Sequence, residues 1–211
     1  MAEKGSKTRN FYDRIADAQS VALRLNGYRA SVARYLRSID PEIGPESYVL
    51  DAGSGTGIVA EGFYAAGYRP KCTVTFDLSH RSLSVGKEHI RKNKKTRSAS
   101  IGAVQGNILE LPFADASFDL VLSCGVLEYV PLEDGLSELA RVLKPGGKLV
   151  FIPVKPSFVG SVLEFLYKFK TYPLSKIRKE AVRHFKIAGE HEFKLTEAMG
   201  WSKIVFLLEK K

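Results

Sequence analysis

The stretch VLDAGSGTG, residues 49–57, sets one carboxylate, Asp51, against a loop with glycine at every second place. Gly53, Gly55 and Gly57 allow a backbone to come close to a nucleotide or nucleoside, and Ser54 sits among them. A second carboxylate, Asp77, follows 20 residues beyond Gly57. A glycine turn with an acid at that distance also describes a dinucleotide site, whose GxGxxG fingerprint has glycine at the first, third and sixth places. Here the sixth place from Gly53 is Ile58, and the pattern is GxGxG. Asp51 just ahead of the loop opposes a pyrophosphate by charge, yet suits an amine-bearing ligand through charge-assisted bonds. The chemistry predicted is capture of a nucleoside without phosphates.

Later groups could serve a reaction beside that nucleoside. QGNI, residues 105–108, and SCGVLEY, residues 123–129, each follow an apolar run. Glu128 and His184 are candidate proton acceptors, His184 because its pKa lies in a useful range. Tyr129, with a pKa of about 10, is a poor one at neutral pH. Cys72 and Cys124 are far apart with no CxxC spacing, so they read as buried structural thiols, and neither a metal site nor a disulfide framework is expected.

The elements that position these residues alternate. Val21, Leu25, Tyr28, Val32, Tyr35 and Ile39 form the stripe of one amphipathic helix, stopped by DPEIGPES. YVLDA then reads as a strand, GIVAEGFYAAG as a helix closed by Gly67, CTVTFDL as a strand, and SHRSLSVGKEHIRKNKK as a helix opened by Ser79. A strand follows around IGAVQG, then a loop through ELPFADAS, a strand at FDLVLSC, a helix with Leu136, Leu139, Ala140 and Leu143 on one face, and a strand at GKLVFIPV. Towards the end FVGSVLEFLYKFK reads as a helix, AVRHFKIAG as a candidate strand and SKIVFLLEKK as a final strand. This alternation predicts an α/β, doubly wound, Rossmann-like and mostly parallel sheet with helices on both faces. Ligands of such sheets bind at the carboxyl ends of the strands, the edge at which Asp51, Asp77, QGNI and SCGVLEY gather.

At four successive stations the chain resembles the class I S-adenosylmethionine-dependent methyltransferases, in particular the small-molecule group that includes quinone-biosynthesis C- and O-methyltransferases. VLDAGSGTG is similar to their first motif, VTFDLS to their ribose-binding strand end, GNILELPFADASFDLVLS to their adenine loop and fourth strand, and LARVLKPGGKLVFI to their helix, turn and fifth strand. The resemblance spans roughly residues 47–154 and implies S-adenosylmethionine as cofactor and S-adenosylhomocysteine as product. It implies that Gly53 and Gly55 approach the methionine and ribose parts, that Asp51 positions the amino acid end, and that Asp77 accepts from both ribose hydroxyls. Leu78 and Ile108 would flank the adenine, and Asn107 would face its amino group where the family often has Asp. Ser123 and Cys124 would line the wall beside the methionine portion. NFYDRIA looks like the group's closing helix, with Tyr12 reaching the carboxylate or sulfonium region. The last strand of the family runs antiparallel. Residues 1–46 are thus expected as a helical cap, 47–154 as the cofactor core, and 155–211 as substrate cover and final strands of the same domain.

The net charge is +9, of which residues 153–211 contribute +6. Such an excess draws nucleic acid, anionic lipid or an acidic substrate, or is simply solvated. No Asn/Asp-Pro-Pro-aromatic stretch follows the fourth strand and neither cysteine follows a proline, which lowers nucleic-acid substrates. Phe158, Val162, Phe165, Leu166 and Phe169, edged by Lys168 and Lys170, suit an amphipathic acceptor or a peripheral membrane contact. The expectation is a cytoplasmic enzyme that methylates a small apolar or amphipathic molecule. Its rivals are an RNA or protein methyltransferase using the basic C-terminal third, and a non-catalytic cofactor-binding subunit.

Overall fold

The computed structural model describes residues 2–93, 99–194 and 196–211, with backbone alone for residues 2–9, 12, 15, 19, 22 and 198. Two compact units divide the chain, residues 1–108 and residues 109–211.

The first unit opens with helix α1 (Ala2–Leu25) and helix α2 (Tyr28–Ile39). The single helical stripe expected from Val21 to Ile39 is therefore broken. Gly27 takes the left-handed conformation, with φ 69°, where a residue with Cβ is strained. The break turns the stripe: Val32, Tyr35 and Leu36 are buried, while Val21 and Leu25 are exposed. Strands β1 (Tyr48–Ala52), β2 (Cys72–Asp77) and β3 (Ile101–Gln105) lie in the order β3-β2-β1, all parallel. Helix α3 (Ile58–Ala66) joins β1 to β2 and ends on Gly67 at φ 113°. Helix α4 (His80–Lys92) is capped by Ser79, whose Oγ accepts the N–H of Ser82. Phe63, Tyr64 and Phe76 are the largest closed side chains of this half. A Cβ on Gly62 of α3 would stand 2.6 Å from Val32 Cγ1 of α2, so the two helices meet at bare backbone.

The second unit holds strands β4 (Phe118–Cys124), β5 (Leu143–Ile152), β6 (Phe185–Glu192) and β7 (Ile204–Lys210), in the order β4-β5-β7-β6. β4 and β5 are parallel, and β7 runs antiparallel to both β5 and β6. Helices α5 (Leu132–Val142), α6 (Phe158–Tyr167) and α7 (Leu174–Ala181) complete it. The candidate strand at AVRHFKIAG starts only at Phe185, because Ala181 still belongs to α7 and Val182 closes that helix. β6 carries a register shift between Ile187 and Gly189. Phe151 and Phe206 meet across β5 and β7 with ring centroids 6.3 Å apart. The loop 109–117 is held by Arg141, which donates to the carbonyls of Leu111 and Phe113 and pairs with Asp115 and Glu138. This strand inventory, parallel at first and antiparallel at the chain end, is that of a Rossmann-like, mostly parallel class I methyltransferase sheet.

Candidate active site

In the first unit β1 ends on Asp51 and Ala52, and the glycine loop turns back over the end of β2. The N–H groups of Gly53 and Ser54 both donate to the Phe76 carbonyl, at 2.8 and 2.9 Å. Gly53, Gly55 and Gly57 have φ of 74°, 52° and 77°, which explains why glycine alternates there. A Cβ at Gly55 would meet nothing within 4 Å, so this backbone borders open space. Beneath it, a Cβ on Gly86 of α4 would stand 3.1 Å from the Thr56 carbonyl carbon. The loop is supported from below and open above.

Asp77 at the end of β2 fixes the same loop. Its Oδ2 accepts the N–H of Gly55 and its Oδ1 that of Ser79, each at 2.8 Å. Burial pushes its carboxyl above the ordinary carboxylate range, opposed by these backbone donors. A carboxylate offers about four lone-pair sites, so two hydroxyl donors can still be received. Gly106 N–H donates to the Asp77 carbonyl and Gln105 Nε2 to the Leu78 carbonyl, which ties the ends of β2 and β3 together. Leu78 is half-buried, Asn107 exposed and Ile108 buried.

Asp51 is closed from solvent. Its Oδ2 accepts the N–H of Ala60 at 3.1 Å, and its Oδ1 has no hydrogen-bond partner. Burial raises its carboxyl to about 7. Ser54 Oγ and Thr56 Oγ1 are also buried without partners. Unsatisfied buried polar atoms are uncommon in native folds, and three around one loop call for partners that the chain itself does not supply.

Helix α1 is tied to this region by polar groups. Asp13 Oδ1 accepts from Ser79 Oγ at 2.5 Å, Asp17 pairs with Arg81, and Arg24 reaches Glu61 and the Thr56 carbonyl. Sequence patterning missed all of these, since they are spread over a face read only for its apolar residues. The side chain of Tyr12 lies outside the described residues.

In the second unit the ends of β4 and β5 gather another group. Ser123 is fully buried with an unpartnered Oγ, and Cys124 is half-buried. Cys72 is half-buried too, so the two cysteines are not closed away as expected; Cys72 opens β2 and Cys124 ends β4. Gly125 follows with φ 68°, its N–H donating to the Ile152 carbonyl. Against it stands Lys203, 7% exposed, with Nζ 2.9 Å from where a Cβ on Gly125 would lie. Among the described residues no carboxylate pairs with this ammonium. Glu128 is near the same edge: its Oε1 accepts the N–H of Val154 at 2.5 Å, while Oε2 is buried without a partner. Val154 in turn bridges Lys203.

His184 does not belong to this group. Phe185 pairs with Lys210, and Lys148 at the inner part of β5 pairs with Glu209, so His184 lies at the amino edge of the strands β4 and β5. The antiparallel run of β7 and β6 instead carries His191, opposite Val205, towards the carboxyl edge. The proton acceptor expected at His184 thus lies apart from Ser123, Glu128 and Lys203. Lys203 escaped notice because SKIVF reads only as the start of a strand.

A family model described as methyltransferase domain matches residues 50–151. The ubiquinone/menaquinone biosynthesis C-methyltransferase of Geotalea daltonii is 30% identical over 177 residues, covering 80% of this chain and 72% of its own length. The chain belongs to the class I methyltransferases. The enzyme of the same name from Rhizobium leguminosarum bv. trifolii is 33% identical over 142 residues, 67% of this chain and 53% of its own length. The chain thus spans about half the length of the first curated relatives it matches. Among solved structures, the geranyl diphosphate C-methyltransferase of Streptomyces coelicolor A3(2), in complex with Mg2+, geranyl-S-thiolodiphosphate and S-adenosyl-L-homocysteine, superimposes with a TM-score of 0.69 at 17% identity, covering 85% of this chain and 75% of its own. At that identity the likeness is one of fold. No helix among the described residues of this methyltransferase-family chain is long and apolar enough to cross a membrane.

Proposed function

We propose that this chain binds S-adenosylmethionine and transfers its methyl group to a small, apolar or amphipathic acceptor of the quinone or isoprenoid kind. The observation that carries the reading is the loop of Gly53 and Gly55, open above and fixed from β2 by Asp77, with the unpartnered Oδ1 of Asp51 behind it. Both carboxylates suit a phosphate-free, diol-bearing and amine-bearing ligand, and nothing in the loop offers the third glycine of a dinucleotide site. Gly53 and Gly55 bring backbone close to the nucleoside, Asp77 accepts from the ribose, and Asp51 faces the amino acid end through the loop. Leu78 and Ile108 supply apolar contact for the base, and Asn107 a neutral acceptor. The acceptor class follows the names of the relatives.

When bound, S-adenosylmethionine supplies a sulfonium-activated methyl group, displaced in line by the acceptor atom, and the departing thioether requires no proton. The chain's part is therefore mainly positioning. Lys203 presents a fixed positive charge for an anionic oxygen of the acceptor, and Gly125 leaves it room. Such a charge, held before the acceptor arrives, costs no reorganisation during the reaction. Glu128 orients the segment around Val154. Residues 1–46 act as a cap and 155–211 as acceptor cover.

Calorimetry with S-adenosylhomocysteine and with NAD tests the cofactor, and transfer of a labelled methyl group to demethylated quinones tests the reaction. Heat with the first ligand, none with the second, and product from at least one quinone are expected. Binding of NAD, or no binding of either, overturns the reading.

A further inference from the structure

We infer that helix α6 together with Trp201 forms a docking surface for an anionic lipid bilayer. The inference goes beyond methyl transfer and does not depend on it. α6 carries Phe158, Val162, Phe165 and Leu166 at spacings of four, three and one, which places them on one helical face. They are 86%, 44%, 85% and 55% exposed. Of the helix's ten residues only Gly160 is buried, its backbone lying against the Lys155 carbonyl.

The exposure does not come from a loosely attached helix. Ser157 caps its first turn by accepting the N–H of Gly160 and donates to the Trp201 carbonyl, each at 3.0 Å. Tyr129 Oη donates to the Tyr167 carbonyl, Thr171 Oγ1 to Glu164, and the N–H of Lys170 to the Glu128 carbonyl. Polar ties at both ends hold the helix in place and leave its apolar side outward. Trp201, 53% exposed, is held at the Phe158 end by the Ser157 bond.

The charge beside this face chooses the occupant. The helix stops at Lys168, which takes a left-handed φ of 55°, and Lys168 and Lys170 are both exposed there. The segment from residue 153 onward carries 12 Lys and Arg against 6 Glu. Aromatic and aliphatic side chains on one face, an indole at one end and ammonium groups at the other are the parts of an interfacial helix on anionic lipid. A protein partner or a second copy would leave the cations without a general counter-charge, whereas a phosphoglycerol surface supplies one along the whole face. Lys155 and Ser157 follow the carboxyl end of β5 and Trp201 precedes the amino end of the antiparallel β7, so docking brings the Lys203 group towards the bilayer.

Trp201 is the chain's one tryptophan and reports on its own surroundings. The full chain is titrated with vesicles of phosphatidylglycerol and phosphatidylcholine, and with phosphatidylcholine alone, following Trp201 emission and co-sedimentation. Expected are a blue shift and binding on the anionic vesicles, reduced at least about tenfold by Phe158→Ser/Phe165→Ser, by Lys168→Glu/Lys170→Glu, and by high salt. Retained affinity of each variant for S-adenosylhomocysteine, or an unchanged circular dichroism spectrum, shows that it is folded. Failure of the wild type to bind, equal binding by the variants, or a dimer that the phenylalanine variant disperses without any vesicle binding overturns the inference.

Discussion

Asp77 Oδ2 accepts the backbone N–H of Gly55 at 2.8 Å, so the acid that ends β2 also sets the shape of the loop that ends β1. Asp77→Ala removes the acceptor for both Gly55 and Ser79 and is expected to cost about 1–3 kcal/mol of stability. Urea unfolding measures this. The same variant should lose at least about tenfold in affinity for S-adenosylhomocysteine by calorimetry, with Asp77→Asn in between. Equal affinity in all three proteins would sink the ribose role.

Asp51 makes stability fall as pH rises. Its folded carboxyl titrates near about 7, against about 3.9 in an unfolded chain. Between those values the unfolded form has released a proton that the folded form keeps, so stability declines across the window and is level above it. Asp51→Asn is expected to remove this decline, on the order of 3 kcal/mol. The difference between variant and wild type, taken by urea unfolding at about pH 4 and about pH 8, isolates it from other carboxylates; a difference that does not change with pH would refute it.

Gly62 and Val32 form a tight crossing between α3 and α2. Gly62→Ala should cost about 1–3 kcal/mol by overpacking. Val32→Ala in the same chain should recover part of that, so the double variant is less destabilised than the sum of the singles. Strict additivity would show that the two side chains do not meet.

Local pattern carried most of the fold because most strands and helices announce themselves by apolar spacing and a terminating glycine or cap; α7, short and charged, does not. Gly67 and Ser79 stand where they were expected for that reason. Gly27 defeated the pattern, since a stripe with spacings of three and four continues across a glycine as readily as through a helix. In the site, the GxGxG loop and Asp77 were legible because backbone geometry demands those residue types. His184 and Lys203 were not, because which edge of the sheet a residue reaches depends on the register of an antiparallel pair, and register is invisible until both strands are placed.

Lys203 should matter for turnover and little for folding. Lys203 is 7% exposed and no carboxylate among the described residues pairs with it, so replacing it by an apolar side chain of similar length is close to neutral for stability. Lys203→Met is therefore expected to keep the melting temperature while kcat/KM falls by about tenfold or more. Loss of stability with unchanged kcat/KM would reverse the assignment.

His184→Ala provides the contrast. Placed at the amino edge of β4 and β5, it should leave kcat within about twofold. A pH-rate profile that loses a limb in this variant would restore a proton-transfer role to it.

The shift in β6 between Ile187 and Gly189 falls on the outermost strand of its unit, whose exposed positions include Lys186, Glu190, His191 and Glu192. A kinked, charged border offers no straight template on which a neighbouring chain could add a strand. The register shift and the charges beside it thereby guard this outer strand against edge-to-edge aggregation.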